Sequence, residues 1–202
     1  TKALELRPND GFSLSGRGNV YRLLGCSHEA LADFSQAIQI NPNDGYSLNQ
    51  RGLIYYYVGE NDKALKDFNR ALEINPDDIF SLESRSNVYM INQDYDSAIA
   101  DLSRVIELAP GNSYAMGARA SLYTEQGKYD LALKDYNQLL EALPDNTKWL
   151  ANRALLYRLL GDYDKAITDF TRLMELGDNS ALSQRGMTYH RAGEYELALQ
   201  DY

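Results

Sequence analysis

The five prolines of the chain, Pro8, Pro42, Pro76, Pro110 and Pro144, stand 34 residues apart. Proline lacks the backbone N–H that a helix interior or a central strand needs, and it pushes the residue before it out of helical geometry. Prolines at a fixed interval therefore set where regular structure stops, five times over. A chain punctuated in this way is built from copies of one supersecondary unit, none of which can bury its apolar face alone.

Aligned on that period, the sequence divides into copies at 11–44, 45–78, 79–112, 113–146, 147–178 and 179–202, the last one incomplete. Residues 1–10, TKALELRPND, read as the tail of an earlier copy. We expect a single array over 1–202 that is a fragment of a longer protein. Tyrosine holds the eleventh place of every copy (Tyr21, Tyr55, Tyr89, Tyr123, Tyr157, Tyr189) and alanine the twentieth (Ala30, Ala64, Ala98, Ala132, Ala166, Ala198). The eighth place is always small (Gly18, Gly52, Ser86, Ala120, Ala154, Gly186). The twenty-fourth is always large and apolar or aromatic (Phe34, Phe68, Leu102, Tyr136, Phe170, Tyr202).

In the second copy, Leu48, Gly52 and Tyr55 recur at i, i+4 and i+7, which is one face of a helix. Gly59 and Asn61 break that helix, Ala64, Phe68, Ala71 and Leu72 form the apolar face of the next, and Asn75–Pro76 ends it. Each copy is thus two helices. The small eighth residue lets them approach closely, and the ring at the eleventh place is expected to fill the gap beside it. The fold class that follows is all-α: stacked antiparallel helix pairs sharing one core, an α-solenoid. The fifth copy is two residues short and ends LMELGDNS without a proline, so an altered junction is expected between the fifth and sixth copies.

Composition narrows the function classes. A hydrophobic fraction of 44% supports an ordinary core, while a net charge of −9 argues against binding to a phosphate backbone, so no nucleic-acid partner is expected. No run approaches the roughly 18 apolar residues of a membrane span, and the first residues do not form a signal peptide. The single cysteine, Cys26, excludes an intrachain disulfide and a cysteine-based zinc cluster. It fits a reducing compartment, with a soluble protein of the cytoplasm the favoured expectation, although a missing N-terminus could hold a signal. His28 and His190 lie five copies apart, so no triad or metal pair can include both. With no phosphate loop and no metal motif, neither catalysis nor a cofactor is expected.

The 34-residue helix–turn–helix with Gly or Ala at place eight, Tyr at eleven, Ala at twenty, Phe or Tyr at twenty-four and Pro at thirty-two resembles the tetratricopeptide repeat, over the whole chain. The resemblance implies a right-handed superhelix whose concave groove, lined by the first helix of each pair, recognises a peptide or partner segment. The chain would then be a protein–protein interaction scaffold or adaptor; the alternative is a regulatory or assembly module of a larger multidomain protein. Groove positions are the second, fifth, ninth and twelfth places. The residues expected to meet a partner there are Phe12, Asn19 and Arg22, then Tyr46, Asn49 and Tyr56, then Phe80 and Asn87, then Tyr114, and finally Lys148 and Arg158. Chaperone-binding members of the family hold a terminal carboxylate with a clamp of Lys, Asn and Arg. Here Asn19 and Asn87 suit such a clamp, but Ser15, Gln50, Glu83 and Ala118 do not complete it, so a chaperone C-terminal tail is not the expected partner.

Two rows of residues leave alternatives open. The rings at the second place, Phe12, Tyr46, Phe80 and Tyr114, either pack against the loop of the preceding copy or form, with Tyr56, an apolar strip for a peptide. Lys148 and Ser180 replace the ring in the last two copies, and Arg158 and Arg191 add positive charge. A ligand that is apolar or aromatic with acidic residues at one end would suit that gradient. Tyr57 is expected to pack at the groove edge. The second row is charged: arginine holds the seventh place of every copy (Arg17, Arg51, Arg85, Arg119, Arg153, Arg185) and aspartate the twenty-third (Asp33, Asp67, Asp101, Asp135, Asp169, Asp201). They form either an ion pair across each hairpin, since a half-buried arginine needs a counter-charge, or an arginine ladder for an acidic ligand.

Overall fold

In the computed structural model, which describes residues 2–202, the described residues form thirteen helices and no strand. After α1 (Lys2–Leu6) come the hairpins α2 (Gly11–Leu23) with α3 (Ser27–Ile40), α4 (Gly45–Tyr57) with α5 (Asn61–Ile74), and α6 (Ile79–Ile91) with α7 (Tyr95–Leu108). The hairpins α8 (Ser113–Glu125) with α9 (Tyr129–Ala142), α10 (Thr147–Leu160) with α11 (Tyr163–Glu175), and α12 (Ser180–Ala192) with α13 (Tyr195–Asp201) follow. The helices group into two compact units, Thr1–Pro110 and Gly111–Tyr202. Within each unit a helix packs on its hairpin partner, and the second helix of one hairpin packs on the first helix of the next. This is the stacking of an α-solenoid.

The loops between copies both stop and start helices. Two residues after each proline stands an Asp or Asn, namely Asp10, Asp44, Asp78, Asn112 and Asn146. Each caps the following helix, its side chain accepting from the backbone N–H three residues on. The junction between the fifth and sixth copies differs, as expected. There α11 ends at Glu175, Gly177 takes a left-handed φ of +90°, and Asn179 makes no side-chain cap.

The core confirms the small eighth place and shows what crosses it. A Cβ built on Gly52 would lie 2.9 Å from the ring of Phe68, and one on Gly18 would lie 3.1 Å from Phe34. The ring of the twenty-fourth place therefore crosses the small residue, while the eleventh-place rings Tyr21 and Tyr55 pack against the clusters that hold Phe34 and Phe68. Two further places are buried that the hairpin pattern did not mark. At the third, Ser47, Ser81, Ala115, Trp149 and Ala181 are buried; at the tenth, Ile54, Val88, Leu122, Leu156 and Thr188 are. Ile54 packs with Ala30 and Phe34 of the preceding hairpin, and Val88 with Ala64 and Phe68 of its own preceding hairpin. First helices are thus buried on two sides, by their own partner and by the copy before.

Inside each hairpin the turn needs a left-handed residue at the fifteenth place. Gly25, Gly59, Gly127, Gly161 and Gly193 supply it, but the third copy has Gln93, at φ +60°. A side chain costs about 1 kcal/mol or more in that region, whereas glycine carries only its larger unfolded-state entropy. Gln93→Gly should therefore raise the unfolding free energy by about 0.5–1 kcal/mol in urea titration at unchanged m-value. A decrease would contradict the strain assigned to this turn.

Candidate partner-binding face

The arginine row is the first candidate, because six regularly placed guanidinium groups could hold an acidic ligand. The structure engages them internally instead. Arg51 donates from Nε to Asp67 Oδ2 at 2.8 Å and from Nη2 to Asp67 Oδ1 at 2.7 Å. Arg17–Asp33, Arg85–Asp101, Arg119–Asp135, Arg153–Asp169 and Arg185–Asp201 repeat the same two-pronged contact at 2.6–2.8 Å. The remaining nitrogen, Nη1, reaches the twenty-fifth place of the preceding copy: Arg51 to Ser35, Arg85 to Asn69, Arg153 to Asn137 and Arg185 to Thr171. Each guanidinium also lies over the eleventh-place tyrosine four residues on, 5.7–6.0 Å from its centroid. The hydrogen bond to Asp67 raises the pKa of Arg51 above the ordinary arginine value, with burial opposing. These residues hold the scaffold together, and the ladder reading falls.

The second-place rings are placed otherwise. Phe12 is 88% exposed, Tyr46 48% and Phe80 38%, so they do not fill the core. In the first unit they wall two hollows, of 460 and 420 Å³. The two correspond residue by residue at the 34-residue interval: Gly11 with Gly45, Phe12 with Tyr46, Ser15 with Asn49, Gly16 with Gln50, Asn41 with Asn75, Asp44 with Asp78, and Tyr46 with Phe80. Their floors are polar and closed. Ser15 donates to Asp44 at 2.9 Å, and Asn49 donates to Asp78 and accepts from Ser81, both at 2.7 Å. Asn49, expected in the groove, is buried with both ends of its amide engaged between copies, and belongs to the scaffold. Gln50 differs. It lines the second hollow, is 9% exposed, and its Oε1 is a buried acceptor without a partner among the described residues.

The other expected residues scatter. Tyr56 is half-buried against the cluster of Ala64, Phe68 and Val88. Its neighbour Tyr57, expected to pack at an edge, is 75% exposed, tilted against Tyr56 at 5.3 Å between ring centroids. Asn19 accepts from Arg22 Nη2 at 3.0 Å, and Asn87 is half-buried. In the second unit Tyr114 and Lys148 are exposed. Arg158 is half-buried and donates from Nη1 to Gln184 Oε1 at 2.9 Å. Burial and the like charge of Arg191 hold its pKa below the ordinary arginine value. The sequence reading missed the caps Asp44 and Asp78 and the amide of Gln50. An Asp directly before each helical stretch was the available signal for the caps.

A tetratricopeptide-repeat profile matches residues 12–44 and 45–78, and a second one matches 84–147 and 118–181. The chain belongs to the tetratricopeptide-repeat family. No curated protein sequence matches it. Among solved structures it is similar to MamA (TM-score 0.75, 20% identity, covering 81% of this chain and 96% of that one). A tetratricopeptide repeat protein from Parabacteroides merdae ATCC 43184 aligns at TM-score 0.69 and 26% identity, over 99% of this chain and 80% of that one. YrrB, described as a TPR protein with an unusual peptide-binding site, aligns at 0.72 and 21%, over 83% and 88%. For MamA and YrrB the likeness is one of fold. Among the described residues of this tetratricopeptide-repeat protein, no helix is long and apolar enough to cross a membrane.

Pairing and ladder make opposite demands on Asp67, whose side chain is buried beside an Arg51 only 20% exposed. Removing one member of such a pair leaves an uncompensated charge, so Asp67→Ala should cost about 3 kcal/mol of unfolding free energy. The double change Arg51→Met with Asp67→Leu should recover most of it. Chemical denaturation of the three proteins checks this; a double variant no better than Asp67→Ala would count against the account.

Proposed function

We propose that this chain is a protein–protein interaction module that holds a partner segment against the first-helix faces of its repeats, and that the paired hollows of the first unit are a gripping site. One observation carries the reading: the same hollow is built twice, one repeat apart, between rings that remain exposed. Rings of this kind offer large contact area at low entropic cost. The similarity to YrrB, a TPR protein with a peptide-binding site, supports the same class of role.

The reading is of a binding module and not of an enzyme. A chaperone tail is not the proposed occupant, because Ser15 and Asn49 at the floor of the hollows have their polar atoms engaged inside the chain. The partner proposed is a peptide segment with apolar or aromatic side chains spaced to enter successive hollows.

Peptides selected against the full chain from a displayed library provide ligands for the test. Tyr46 walls both hollows, so Tyr46→Ala should weaken the selected peptides about tenfold or more while the melting temperature stays close to that of the parent. Tyr57→Ala, which removes a more exposed ring outside the hollows, should leave affinity unchanged. Loss of thermal stability in Tyr46→Ala with affinity intact would show that the ring packs and does not bind.

A further inference from the structure

The two hollows of the first unit hold a charge that helix capping does not require. Each is lined by the aspartate that caps the next first helix, Asp44 in one and Asp78 in the other. Asparagine caps as well as aspartate does, and Asn112 and Asn146 do the same work in the second unit without a charge. Neither carboxylate meets a cation. The six hairpin aspartates are clasped by arginine, and Asp77, next to Asp78 in the chain, pairs with Arg104 at 2.6 Å. Asp44 and Asp78 are half-buried and make no ion pair with any described residue, and no lysine or arginine lines either hollow.

Their hydrogen bonds come from neutral donors. Asp44 Oδ2 accepts from the hydroxyls of Ser15 and Ser47, at 2.9 and 2.6 Å, and Oδ1 from the Ser47 N–H at 3.1 Å. Asp78 Oδ2 takes the N–H and hydroxyl of Ser81 and the amide of Asn49, which leaves Oδ1 without a partner among the described residues. A carboxylate has about four acceptor sites, so both retain capacity for a further donor. The dipole of the capped helix offsets part of each charge. The walls beside the carboxylates are aromatic: Phe12 and Tyr46 with Asp44, Tyr46 and Phe80 with Asp78. Ring faces attract cations, and a long basic side chain lays its apolar stem on such surface while its charged end reaches on. Rings and one negative charge in a hollow are complementary to lysine or arginine, and disfavour aspartate or glutamate. The combination occurs twice, one repeat apart.

We propose that the hollows of Asp44 and Asp78 each take a lysine or arginine side chain of the partner polypeptide, adjacent in that segment to the apolar or aromatic residues that meet the rings. The inference rests on the reading of these hollows as a gripping site and adds the charge of what is gripped.

The test starts from library peptides whose binding to the full chain is weakened by Tyr46→Ala, synthesised with blocked termini. They should carry lysine or arginine next to an apolar residue. Replacing those basic residues by glutamine should weaken binding about tenfold on the parent and leave it nearly unchanged on the double variant Asp44→Asn with Asp78→Asn. The single variants should each show part of that effect. Asparagine supplies the same capping acceptor, so the melting temperature of all three should stay close to that of the parent. Asp10→Asn, the same change at a cap that lines neither hollow, should leave binding as in the parent. Tyr46-sensitive peptides without basic residues, or an equal loss on parent and double variant, overturn the proposal. If no selected peptide responds to Tyr46→Ala, the gripping site itself fails, a result distinct from the absence of a charge preference.

Discussion

A guanidinium clasped by a buried aspartate crosses every hairpin of this protein, and much of the architecture depends on it. The contact joins the seventh place of the first helix to the twenty-third of the second, so it fixes how far one helix may slide along the other. Through Nη1 it also reaches the preceding copy, as from Arg51 to Ser35, and it presses its plane on the tyrosine four residues on. A buried pair of this kind adds little net stability compared with a well-packed apolar pair, but it penalises any arrangement that separates its members. Its repetition therefore makes one register much better than its neighbours.

Helix geometry then assigns the remaining places. Successive residues turn by about 100°, so the fourth, eighth and eleventh places face the second helix of the same copy, the third and tenth face the copy before, and the seventh reaches both. The fifth and twelfth turn toward the copy that follows. Asn49 is bonded to Ser81 there, and Tyr56 packs on the cluster that holds Val88. What is left open is the second place with its neighbours on the same stripe, which is where the exposed rings stand. The surface proposed for binding is what packing on the other sides leaves exposed.

This geometry also explains what could be read from the sequence. The period, the hairpins, the small eighth place and the Arg–Asp pairing were legible because six copies repeat them in register. Repetition reports a shared role without naming the neighbour that each side chain meets. Asn49 and Ser81 are polar and so resemble surface residues, although each is buried with its hydrogen bonds satisfied by the other copy. The ring of Tyr55 and that of Phe68 both lie near Gly52 in pattern; only the coordinates show that Phe68 crosses it.

On the proposed function, partners meet this protein on its first helices. A competing hollow exists on the second helices of the first unit, 610 Å³ in volume and lined by Ile38, Leu65, Lys66 and Arg70, so the alternative is concrete. Backbone amide shift mapping with one selected peptide decides between them. The account predicts that the perturbed amides cluster at Gly45, Tyr46, Gln50 and Phe80. Perturbations centred on Ile38, Leu65 and Lys66, with the first-helix amides unmoved, would contradict it.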